Sequence, residues 1–91
     1  MTDPRETPTV DIGHGHRVRF YRDENGAPRL WVFHDCPGFP QHGERCGSYI
    51  PLTGPKPWRL VSEDPLTIEP SIHFTDCGDH GFIRNGKWVP A

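Results

Sequence analysis

Cys77 and His80 are separated by two residues in Asp76-Cys77-Gly78-Asp79-His80-Gly81, close enough for both side chains to grip one ion from a tight turn. Two further cysteines stand upstream in similar company, Cys36 in Asp35-Cys36-Pro37-Gly38 and Cys46 in Arg45-Cys46-Gly47. Thiolates flanked by Gly and Pro suit a metal knuckle, where a sharp turn brings backbone N–H groups near sulfur. Three thiolates and one imidazole make a closed tetrahedral set of the structural zinc type. Cysteine otherwise often fills core space, but all three here lie in Gly/Pro-rich turns. The expected ligands are Cys36, Cys46, Cys77 and His80. His42, six residues after Cys36, competes with Cys46 for the fourth position.

A staple of this kind matters because the chain is short. At 91 residues, with 33% hydrophobic residues, 11 Pro and 10 Gly, one domain with a thin core is expected. Such a core rarely supplies more than ~3–5 kcal/mol, and structural zinc contributes an apparent ~10–16 kcal/mol in small peptides. Three cysteines cannot close a disulfide framework without a remainder. With no signal peptide or apolar run of membrane-spanning length in view, a cytoplasmic chain with reduced thiols is expected. The net charge of −2 argues against a general nucleic-acid binder.

The periodicity is that of strands. Residues 1–16 are polar and read as a flexible tail, with ordering expected near Val10 and Ile12. Gly13-His14-Gly15-His16 reads as an exposed loop that could at most hold a metal loosely. From Arg17, charged and apolar residues alternate through Arg22, and Arg29-Leu30-Trp31-Val32-Phe33-His34 is a strong strand pattern. Asp23-Glu24-Asn25-Gly26 joins them as a hairpin. Short strands follow at Ser48–Leu52 and Trp58–Val61, then extended pieces at Leu66–Ile68 and Ser71–Thr75 broken at Pro70. A second hairpin turns at Asn85-Gly86. No helical stripe is present. The expected fold is all-β, a small zinc-stapled antiparallel sheet or hairpin domain over residues 17–91 with little or no helix.

The second half of the chain resembles a family. Cys36-Pro37, Cys46-Gly47, Trp58, Pro65-Leu66-Thr67-Ile68-Glu69-Pro70-Ser71-Ile72 and Cys77-Gly78-Asp79-His80-Gly81-Phe82-Ile83-Arg84-Asn85-Gly86-Lys87-Trp88 are similar to the pattern of small uncharacterised bacterial and phage metal-binding proteins. The resemblance runs from about Trp31 to Trp88. It implies bound metal and, for some members, neighbourhood to ubiquitin-like conjugation genes; a phage-encoded member would work in the host cytoplasm. Some members carry the label ammonia monooxygenase, which no copper-oxygenase His set in this chain supports. The two upstream cysteines of the family usually lie closer together than here, where nine residues intervene; that spacing brings in His42.

Three functions compete. The first is a non-catalytic zinc module for protein interaction, with Tyr21, Trp31, Trp58, Phe82, Arg84 and Trp88 as candidate contacts or core. The second is nucleic-acid binding by a ribbon-like domain through Arg17, Arg19, Arg22 and Arg29, with Phe20 and Trp31 interleaved. The third is a zinc hydrolase with an open coordination position and Glu44, Asp79 or His42 as base. The zinc-deaminase signature is absent, and no Ser-His-Asp arrangement or phosphate loop stands out. The sequence alone favours the first, with an unidentified protein partner.

Overall fold

The computed structural model describes residues 8–34, 46–74 and 78–91. Cys36, His42, Glu44 and Cys77 lie outside the described residues, as does the side chain of Cys46.

Eight strands run in chain order: β1 Val10–Gly13, β2 His16–Arg22, β3 Pro28–His34, β4 Cys46–Ile50, β5 Arg59–Glu63, β6 Leu66–Phe74, β7 Asp79–Arg84 and β8 Lys87–Pro90. They form two antiparallel four-stranded sheets, β1-β2-β3-β4 and β5-β6-β7-β8, each a meander. The all-β reading holds. Among the described residues no helix is long and apolar enough to cross a membrane.

Local chemistry sets the turns. Asn85 and Gly86 both have positive φ, at 52° and 73°, the two-residue geometry that matches strand twist. The β2–β3 loop is built on the Asp23 carboxylate, which accepts N–H bonds from Asn25 and Ala27 at 2.9 and 3.0 Å and from the Arg29 guanidinium at 2.8 and 3.0 Å. The first two-residue turn is His14-Gly15, also at positive φ (55° and 74°). Residues 10–16, within the stretch assigned to a tail, thus supply β1 and the start of β2. Pro70 does not break β6. The strand passes through it with a register shift between Ile68 and Ile72, and the Glu69–Pro70 peptide is cis.

Alternation gives each sheet one apolar face, and the two faces share one core. Ile12, Val18, Leu30, Val32 and Ile50 from the first sheet meet Leu66, Ile68, Ile72, Phe74, Ile83 and Trp88 from the second. Leu30, Val32, Ile68 and Ile83 are fully buried, each contributing about 1.5–3 kcal/mol of transfer free energy. The core thus lies between two sheets, where the expectation was one small sheet or hairpin domain. Trp88 closes one flank, and it does so over Gly81, where a side chain would collide with the indole.

Candidate active site

The outer face of the second sheet carries the first of two polar constellations. In β6 and β7, Ile72 faces Gly81 and Phe74 faces Asp79 on the core side, so the intervening pair His73 and His80 points outward. Ser71 lies within the register shift of β6, one residue before regular pairing resumes at Ile72. Its Oγ lies 2.8 Å from His80 Nε2, the separation of a nucleophile and its base. Ser71 is half-buried and His80 exposed. Two contacts fix this geometry. Trp58 Nε1–H donates to the Ser71 carbonyl at 3.2 Å, tying the backbone at Ser71 to the segment before β5. The His80 ring lies between His73, with ring centroids 4.8 Å apart, and Phe82 at 6.4 Å. Among the described residues no carboxylate contacts His80. Its neighbour Asp79 turns to the opposite face of β7.

There Asp79 joins the second constellation, at the inner end of the sandwich. Its Oδ2 lies 2.5 Å from His16 Nε2 and 3.4 Å from His34 Nδ1. Both imidazoles are buried, 5% and 4% exposed. His16 stacks on Trp88 at 3.9 Å between ring centroids, and His34 packs against Phe74 at 4.3 Å. His16 Nδ1 lies 2.7 Å from the His14 carbonyl oxygen and donates to it. With Nδ1 engaged, Nε2 is the ring nitrogen that faces Asp79. One donor atom from each of His16, His34 and Asp79 lies within 4.8 Å of the others, so the three could hold a metal ion. An imidazole that donates its distal N–H to a backbone carbonyl is the usual outer shell of a metal ligand.

The residues singled out from sequence are dispersed. Arg17, Arg19 and Trp31 do share a surface, the outer face of the first sheet, with Tyr21, Phe33 and Tyr49; the Arg19 guanidinium lies 5.4 Å from the Phe33 ring centre. Arg22 instead ion-pairs with Glu63 at 2.9 Å, bridging the two sheets. Arg84 is on the outer face of the other sheet, 4.1 Å above the Phe82 ring. Trp88 is core and Trp58 packs against it. Asp79, considered as a base for an open zinc site, is bonded to His16.

A family model describing the bacterial ubiquitination-like system serine protease, BubE, matches residues 6–91. The chain belongs to the BubE family. No curated protein matches the chain, and neither does any solved structure. Membership overturns the expectation of a non-catalytic interaction module, and with it the expectation that the chain is not an enzyme: the family is one of serine proteases. The association with ubiquitin-like conjugation agrees with the family's description, whereas zinc and a phage origin have no counterpart in it. The serine arrangement escaped the sequence reading because its two members come from different strands. Its only trace was that Ser71 and His80 both fall in the quoted motifs, Pro70-Ser71-Ile72 and Cys77-Gly78-Asp79-His80.

Proposed function

We propose that this chain is a serine protease acting on a protein of a ubiquitination-like system, with Ser71 as nucleophile and His80 as general base. The 2.8 Å contact between Ser71 Oγ and His80 Nε2, on a solvent-facing sheet surface, carries this reading. With the ring proton on Nδ1, Nε2 accepts the hydroxyl proton as Oγ attacks the scissile carbonyl carbon. The C=O π pair moves onto oxygen and a tetrahedral intermediate forms. His80 then gives its Nε2 proton to the departing amine as the C–N bond breaks, leaving an acyl-enzyme ester on Ser71. Water enters, loses a proton to Nε2, and releases the carboxylic acid and the free serine. Trp58, through the Ser71 carbonyl, and His73, against the His80 ring, act as positioning residues. Ser71→Ala should fold as the parent does and lose peptide-bond turnover by several orders of magnitude. Equal turnover by the two proteins would end the proposal.

Zinc is the metal we propose for the inner cluster. The support is the donor set, two imidazoles and a carboxylate, with Cys46 at the position of β4 that pairs with His34. Cys36 follows His34 by two residues and Cys77 precedes Asp79 by two. Four-coordinate zinc takes one thiolate beside these three donors; of the ligands expected from sequence, one of Cys36, Cys46 and Cys77 would complete the set, while His80 lies against Ser71 instead. Zinc bound there would fix the sandwich end beside β7 and is given no step in the cleavage. Native mass spectrometry of the purified protein tests it, with one zinc per chain expected.

A further inference from the structure

The β7–β8 hairpin sets two cations side by side on its exposed face. Arg84 and Lys87 are directly opposed across the hairpin and both are exposed. Like charges in that position destabilise a strand pair. Among the described residues neither has a carboxylate partner, although Arg22, Arg29 and His16 all do. The Arg84 guanidinium rests instead on the face of Phe82, 4.1 Å from its centre, and Phe82 is the next outward residue of β7 after His80, with ring centroids 6.4 Å apart. His80, Phe82 and Arg84 therefore form a row on one face, with Ser71 at one end and paired positive charge at the other.

We infer that this row is a substrate subsite selecting an acidic residue, Asp or Glu, near the bond that Ser71 cuts. The inference rests on the Ser71–His80 reading and adds a specificity to it. A bound peptide in extended conformation advances about 3.3 Å per residue, as β7 does. Arg84 follows His80 by four residues along β7, about 13 Å at about 3.3 Å per residue, and its guanidinium reaches back over Phe82. An acidic side chain two to four residues from the scissile bond meets these charges, while Phe82 offers the intervening residues a flat apolar floor. Release from Phe82 lets the Arg84 fork grip a carboxylate with two N–H groups. The repulsion between Arg84 and Lys87 is relieved in the complex, which an uncharged substrate does not achieve.

The test uses the full chain with an equimolar library of extended peptides, read by mass spectrometry. The wild type should cut peptides carrying Asp or Glu two to four residues from the cleavage point about five- to tenfold faster, by kcat/KM, than their Lys counterparts. The preference should shrink in ~0.5 M salt, as exposed charges are screened. In Arg84→Glu/Lys87→Glu it should reverse towards Lys and Arg, while labelling of Ser71 by a fluorophosphonate stays at the parental rate, reporting an intact fold and nucleophile. Equal cutting of acidic and basic peptides, an unchanged preference in the double variant, or no cutting by a protein whose Ser71 takes up the label would each overturn the subsite. Cutting that survives Ser71→Ala would instead overturn the nucleophile.

Discussion

Gly81→Ala measures how tightly the second sheet is closed under β7. A Cβ built at Gly81 would lie 2.6 Å from both Trp88 Cε2 and Cζ2 and 2.7 Å from the Val89 carbonyl oxygen. Real Cβ contacts do not approach this closely. The indole cannot slide away freely, because its other face stacks on His16 at 3.9 Å, and Val89 O belongs to the β8 backbone. Overpacking of this kind costs typically about 1–3 kcal/mol, and the immobile neighbours argue for the upper half of that range. For a domain of this size ~1 kcal/mol corresponds to about 4–8 °C, so a fall in Tm of roughly 8–24 °C is expected. Thermal unfolding followed by tryptophan fluorescence reads it. Gly47→Ala is the control: its Cβ would meet only the Phe33 ring, at 2.7 and 2.8 Å, on an outer face where the ring can rotate. It should cost less than half as much. A double-mutant cycle sharpens the result, since Gly81→Ala should be far better tolerated in a Trp88→Leu background. A Tm within about 2 °C of the parent for Gly81→Ala alone would refute the packing described here.

Other perturbations reach other parts of the molecule. Asp79→Asn removes the charge shared by His16 and His34 and should destabilise the domain by about 1.5–3 kcal/mol in a denaturant titration, with loss of any bound zinc in the native mass spectrum. Trp58→Phe keeps the packing but deletes the 3.2 Å bond to the Ser71 carbonyl; kcat should fall while Tm moves by less than about 5 °C. Acid should weaken the β2–β3 loop. The Asp23 carboxyl is held below its ordinary 3.8, first by the Ala27 N–H and then by Arg29. A depressed carboxyl contributes stability that is complete above its unfolded value and is lost as pH falls through the folded one. Stability measured in Asp23→Asn and parent should therefore converge below about pH 3.8, with the parent more stable above it.

Much of the fold was legible because period-two alternation and turn chemistry are local properties. Asn85-Gly86 marked its hairpin and the alternation from Arg29 to His34 marked a strong strand. β1 was missed because Gly13-His14-Gly15 reads as loop, when it is a two-residue turn whose flanks continue as strands; His16 then belongs to the inward set with Val18. The stacking of two sheets was not legible. Alternation tells which face is buried but not what covers it, so the second sheet that covers the first was not foreseen. The contact between Ser71 and His80 was not legible for a related reason. Whether the outward face of β6 brings Ser71 or its neighbour to His80 depends on the register shift between Ile68 and Ile72, which no residue pattern announces. His16, His34 and Asp79 come from three strands of two sheets, and their approach is a consequence of the stacking.

The central claim is that Ser71 is a nucleophile activated by His80. Intact-mass analysis with peptide mapping after exposure to a fluorophosphonate tests it most directly. One adduct per chain at Ser71, strongly reduced in His80→Ala protein that keeps the parental β-sheet circular dichroism, is the expected result. No adduct on folded protein, or an adduct on another serine with Ser71 unmodified, would contradict the account.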